Sequence, residues 1–225
     1  MLPPPPAVLL ILGTDAAGKD YVADFLIRHW QAAGYAVEKR AGWFSASAVD
    51  DRSSSERKGR WGRFQEQAFL WGFPLLRPWL LNVAGWLLAW DRRRFRPAAQ
   101  PVVVVSHTAL RLLALTQGQS VTPPPLPPAI RKTLRALHET TQATVIVLDV
   151  DPDTRQRRIA ARIQSGHVDP FDRYMLADRA RAERIEGCLV QLAVESWQAR
   201  VMQNNDLDAP ALAAALAHAL HSTAP

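Results

Sequence analysis

The segment Gly13-Thr14-Asp15-Ala16-Ala17-Gly18-Lys19 is a Gly-x-x-x-x-Gly-Lys loop, placed directly after the apolar run Leu9–Leu12 and directly before a stretch with helical spacing. The chemistry available to such a loop is the binding of a polyphosphate. Backbone N–H groups wrap the phosphates, and the N-terminus of the following helix is aimed at them. Gly13 and Gly18 permit conformations and close approaches that a Cβ would block. Lys19 would reach the β- and γ-phosphates of a nucleoside triphosphate, with Asp15, Ala16 and Ala17 completing the cradle.

The residue after the lysine departs from the motif. A Ser or Thr hydroxyl is expected there, set on Mg²⁺, and the chain offers Asp20. The partner ligand in this architecture is usually an Asp at the end of a neighbouring strand. Here the best candidate strand, Val102–Val105, ends in Ser106. Carboxylate and hydroxyl are thus exchanged. One expectation is a reciprocal swap that retains both oxygen types and the hydrogen bond between them, because Mg²⁺ accepts either in octahedral geometry. The other is a site that binds nucleotide and catalyses poorly.

Phosphoryl transfer also needs cations around the moving group. The loop contains no arginine, so the source must lie elsewhere. Arg155, Arg158 and Arg162 fall at i, i+3 and i+7, on one face of a helix. With Arg173 beyond a Gly166–Pro170 turn, they suggest an arginine-bearing lid over about 153–173. Arg158, Arg162 and Arg173 are the candidate catalytic cations beside Lys19. A solvated basic helix face is the alternative. His107, at the end of the same strand as Ser106, is either an acceptor-phosphate ligand or a histidine satisfied within the fold.

The elements that must position these groups follow from hydrophobic periodicity. Ala7–Leu12, Val102–Val105 and Thr144–Leu148 are continuous apolar runs, as buried parallel strands require. Tyr35–Lys39 and Arg200–Gln203 read as two further strands. Asp20–Ala33, Asp153–Gln164, Arg173–Trp197 and Ala211–His221 read as helices. The alternation argues for an α/β fold, a doubly wound parallel sheet of about five strands flanked by helices. The 225 residues then form one domain over 1–225, with a variable acceptor-side region over about 42–96. Thr122–Pro128 is proline-rich loop. Phe69–Trp90 is apolar and rich in tryptophan, but Pro74, Arg77, Pro78 and Asn82 interrupt it. A buried helix pair or a dimer interface is favoured over a membrane span, with reversible membrane contact between these.

Composition narrows the class further. A net charge of +6, with basic residues clustered at 52–63, 92–96 and 155–184, suits anionic ligands rather than a nucleic-acid stripe. The single cysteine, Cys188, excludes an intrachain disulfide and fits a reducing, cytoplasmic setting. No basic n-region precedes the first strand, so no signal peptide is expected.

Taken in order along the chain, these motifs resemble thymidylate kinase and its nucleoside-monophosphate-kinase relatives. The 13–19 loop resembles that family's P-loop, and its internal Asp, matched by Asp15, contacts the acceptor sugar there. Leu87–Arg92 resembles the helix whose Asp-Arg pair reaches the acceptor, which implies a substrate role for Arg92. Val102–His107 running on to Gln117-Gly118 resembles the strand, Asp-Arg-Tyr and Gln-Gly segment, with Ser106-His107 in place of Asp-Arg. Asp172-Arg173-Tyr174 resembles the signature that closes the lid. Asn204–Asp208 is similar to the loop near adenine, so Asn204 joins the nucleotide set. The resemblance implies ATP and Mg²⁺ as cofactors, nucleotide substrates and a homodimer. A nucleotide-binding regulator and a phosphotransferase working at a membrane surface are the alternative functions.

Overall fold

The computed structural model describes residues 2–14, 16–47, 76, 79–165 and 170–221. Asp15, Trp71, the 52–63 basic cluster and most of the turn before Pro170 lie outside the described residues.

Five strands form one all-parallel sheet in the order β2-β3-β1-β4-β5. They are β1 (Val8–Leu12), β2 (Glu38–Ala41), β3 (Val102–Val105), β4 (Thr144–Asp149) and β5 (Arg200–Gln203). The central strand β1 is buried along its whole length, which explains why it carries no polar residue. Its alternating side chains serve two cores. Val8, Leu10 and Leu12 pack with the helix over 79–94 (α2), α3 (Thr108–Gln117), α4 (Pro128–Thr141) and α7 (Arg179–Trp197). Leu9 and Ile11 face α1 (Lys19–Ala32) and α8 (Ala209–His221) on the other side. The sheet is therefore the middle layer of three.

The remaining helices are α5 (Pro152–Gln164) and α6 (Pro170–Leu176). The stretch expected as one helix over Arg173–Trp197 is two. Asp178 breaks it by adopting extended backbone and accepting a hydrogen bond from the Arg181 N–H, which starts a new helix. β2 lies three residues beyond the expected Tyr35 start, because Gly34 through Val37 is used up in leaving α1.

The tryptophan-rich segment is partly buried and partly bare. On α2, Leu80, Ala84, Leu88 and Asp91 face the core. Trp79 and Trp86 point outward, 71% and 63% exposed, and with Val83 they form one ridge at helical spacing. Trp90 continues that ridge under the guanidinium of Arg94, 4.9 Å from the ring centroid. No helix among the described residues is long and apolar enough to cross a membrane.

Candidate active site

The strands all point their carboxyl ends toward one cleft of about 1310 Å³. That is above the few hundred to about 1,000 Å³ common for a small-molecule pocket. Crevices at the carboxyl ends of parallel strands are where open α/β sheets bind ligands.

The phosphate loop forms the floor. Gly13, at φ 155°, could not carry a Cβ without approaching the Ala17 Cβ to 2.9 Å and the Leu148 carbonyl oxygen to 3.2 Å. Gly18 caps α1 in the left-handed region, with φ 80° and no side-chain cap. A Cβ there would meet the Asn204 amide nitrogen at 2.8 Å. Both glycines are thus demanded by local packing. Asn204 itself donates to the Ala17 carbonyl at 2.7 Å, which ties the end of β5 to the loop. The ammonium of Lys19 lies on the Thr14 carbonyl oxygen at 2.6 Å.

Arg158 braces the same loop from above. It donates to the carbonyls of Ala16 (3.1 Å) and Asn204 (2.8 Å), and it pairs with Asp206 through two nitrogens. Those contacts hold the Asp206 carboxyl below its usual range, chiefly through the Arg158 hydrogen bonds. Arg162 lines the cleft about one turn of α5 beyond Arg158 and lies 3.4 Å from Asp172, which is fully buried.

Ala16, Gly18, Lys19, Asp20, Ser106, Arg158, Arg162 and Asn204 therefore line one cleft. Gly13 and Ala17 lie beneath it as the loop's underside. Three of the residues singled out from sequence lie elsewhere. Arg173 is exposed and does not line the cleft. Successive residues of a helix point about 100° apart; on α6, Phe171 takes the cleft and Asp172 the interior, so Arg173 faces away. Arg92 is also exposed and donates to Thr140 Oγ1 at 3.1 Å, because its neighbour Asp91 occupies the buried face of α2. His107 is fully buried. Its Nδ1 accepts the Leu110 N–H, so the Nε2–H tautomer satisfies both partners, with Nε2 donating to Asp91 at 3.1 Å. Rings of Trp43, Phe44 and Trp197 surround it at 5.4–5.7 Å. It is a histidine satisfied within the fold.

The exchanged carboxylate and hydroxyl both reach the cleft, but no hydrogen bond joins them. Asp20 lies in the first turn of α1 and is 77% exposed; its partner is Lys39 of β2, at 3.4 Å. Lys39 also holds Asp24 at 2.7 Å. Burial alone would lower the Lys39 pKa; the Asp24 hydrogen bond and the charges of Asp20 and Asp24 outweigh it and raise the value. Ser106 turns the chain out of β3 with φ 66°, a strained position for a non-glycine residue. As donors, an exposed carboxylate and a hydroxyl at the cleft suit Mg²⁺, which takes one or two protein oxygens and fills its shell with phosphates and water.

One residue carried no sequence signal. Arg111, on the first turn of α3, lines the cleft beside Thr108 and Leu112 and lies 5.2 Å from the Phe171 ring centroid. Its position four residues after His107, on a helix that starts at a strand's end, was the available clue.

No family model and no curated protein sequence matches the chain. Solved structures do. A deoxyadenosine kinase from M. mycoides with bound dATP matches with a TM-score of 0.50 at 13% identity, covering 95% of this chain and 99% of that one. Polyphosphate kinase 2 from Arthrobacter aurescens matches at 0.51 and 16%, over 96% and 68%. A thymidylate kinase from Candida albicans matches at 0.53 and 11%, over 96% and 91%. Likeness at such identities concerns architecture, and with a glycine-lysine loop under the carboxyl ends of a 2-3-1-4-5 parallel sheet, the chain has the fold of the P-loop kinases.

Proposed function

We propose that this protein is an ATP-dependent phosphotransferase that moves the γ-phosphoryl group to a small acceptor, with a nucleoside monophosphate as the first candidate by resemblance. The observation that carries the reading is a single cleft lined by the phosphate loop, by Arg158 and Arg162 of α5, and by a further cation, Arg111 of α3.

In this reading the triphosphate lies along residues 13–19. Lys19 leaves the Thr14 carbonyl for the β- and γ-phosphates, exchanging a neutral acceptor for a charged one. Arg158 and Arg162 offset the charge that develops on the transferring group, and positioning plus electrostatics supply most of the catalysis. Asp20 and Ser106 would hold Mg²⁺, which would supply charge neutralisation at the triphosphate. The acceptor enters from the side of Tyr21, Gly42, Thr108 and Arg111. Arg111 takes the acceptor-phosphate role expected of Arg92 and His107. The assembly proposed is a homodimer through the exposed Trp79–Trp86 ridge of α2, since large bare aromatic faces mark contact surfaces.

The decisive experiment is an acceptor screen with purified protein, ATP and Mg²⁺, read as ADP release. Acceptor-dependent ADP production supports the reading. ATP binding without ADP release across nucleoside monophosphates, nucleosides and phosphate chains would assign the cleft to a nucleotide-sensing regulator instead.

A further inference from the structure

One carboxylate near the phosphate loop has no part in this chemistry. Glu186 lies in the middle of α7 and is buried, although Ala182, Ile185, Leu189 and Ala193 on the same helix are buried and apolar. A buried carboxylate is tolerated when its oxygens are satisfied. Oε1 accepts the Thr14 hydroxyl at 3.1 Å, and Oε2 pairs with the guanidinium of Arg155, itself buried. Arg155 also donates to the Val150 carbonyl at 3.1 Å. Thr14 in turn receives the Ala17 N–H (3.3 Å) and the Lys19 ammonium (2.6 Å) on its own carbonyl.

We propose that Glu186, with Arg155, is a positioning residue for the phosphate loop and acts through the Thr14 hydroxyl. The inference rests on the donor-site reading above. A threonine hydroxyl has one proton. Giving it to Glu186 fixes a side chain that is already stiff at χ1, and with it the direction in which the Thr14 carbonyl points toward Lys19. Arg155 has a second effect. An uncompensated carboxylate beneath a loop built for a triphosphate would repel it, and the guanidinium cancels that charge. Arg158, three residues on, bonds the Ala16 carbonyl directly. The first half of α5 thus holds the loop at two points, Thr14 through Glu186 and Ala16 without an intermediary. It is a fixed part of the donor site, and any lid closure belongs to residues beyond it.

The test is MgATP titration calorimetry on the full chain and on Thr14→Val, Glu186→Gln and their double variant, with Arg155→Met alongside. Thr14→Val and Glu186→Gln are each expected to weaken ATP about fivefold to tenfold, and the double variant to be no weaker than the worse single, since coupled residues are non-additive. Arg155→Met should weaken ATP more than Glu186→Gln, because it leaves a negative charge under the loop. Thr14→Ser, which restores only the hydroxyl, should rescue affinity. Effects that multiply in the double variant, or melting points that fall while ATP affinity holds, overturn the proposal. If Glu186→Gln does not fold, the contrast between Thr14→Val and Thr14→Ser decides. A wild-type chain that binds no ATP would instead refute the donor-site reading itself.

Discussion

Asp91 offers the sharpest test of how the cleft wall is held. The carboxylate is fully buried and accepts four hydrogen bonds, from Phe44 N (3.1 Å), Ser45 N (2.9 Å), Ser45 Oγ (2.5 Å) and His107 Nε2 (3.1 Å). It thereby fastens the chain after β2 to α2 and to the end of β3. Asp91→Ala strands the Phe44 N–H and the His107 Nε2–H in an apolar, aromatic setting, at about 1–3 kcal/mol each. Ser45 is half-exposed and recovers part of its loss from water. The expected cost is therefore about 3–5 kcal/mol, a large share of the 5–15 kcal/mol typical of a domain. For a chain of this length that corresponds to a melting point lower by about 6–20 °C. The pH dependence has a defined sign. Burial would raise the Asp91 pKa, but the hydrogen bonds from His107 and Ser45 outweigh it and lower the value. A depressed carboxylate pKa contributes stability that is present above the unfolded value of about 4 and lost as pH falls through the folded one. Urea denaturation of wild type and variant at pH 7, and again on descending below pH 4, should show a gap that narrows in acid. A loss under about 1 kcal/mol at neutral pH, or a gap that widens in acid, would refute the assignment.

Further outcomes follow from the cleft. Arg162→Ala should cut kcat by about a hundredfold or more with a small change in ATP affinity, as expected for a group acting on the transition state, whereas Arg173→Ala should leave both within about threefold in steady-state kinetics. Arg111→Ala should raise the acceptor KM by about tenfold and leave the ATP KM in place; equal effects on both substrates would remove Arg111 from the acceptor site. Asp20→Ser with Ser106→Asp should regain Mg²⁺-dependent turnover that each single change loses, and a gain from Asp20→Ser alone would show that the exchanged pair is no working metal site. Replacing Trp79 and Trp86 with Ser should convert a dimer to a monomer in light scattering, and binding to anionic vesicles that disappears in the same variant would reassign the ridge to a membrane surface.

The elements that proved legible were those whose burial is complete. β1, β3 and β4 are unbroken apolar runs because both faces are covered, and the loop between β1 and α1 is written in glycines that local packing demands. β2, with the sequence Glu-Lys-Arg-Ala at a sheet edge, has no such pattern, and its register followed only from its pairing with β3. Helix α4 is not among the helices expected from periodicity, although Pro128 at its first position and Ile130, Leu134, Leu137 and Thr141 along one face are ordinary signals. The proline run before it obscured them. For the site, sequence spacing identified which residues share a helix face but not which face meets the cleft. That distinction separates Arg158 and Arg162 from Arg173, and Arg111 from Arg92 and His107. Glu186 was invisible for another reason: its partners lie 172 and 31 positions away, and only the fold brings them together.

The two bonds that complete the phosphate loop have a consequence for the birth of the chain. Thr14 finds its carboxylate in Glu186, and the Ala17 carbonyl finds its donor in Asn204, 187 residues later. On a ribosome adding about 5–20 residues per second, the first twenty residues emerge early and wait many seconds for these partners. β1 can pair with β3 and β4 as each emerges, but α7 and then β5 come later. A nascent chain stalled before residue 186 should therefore contain most of the sheet and yet bind nucleotide more weakly than the full chain. Full nucleotide affinity would then come only when β5 docks.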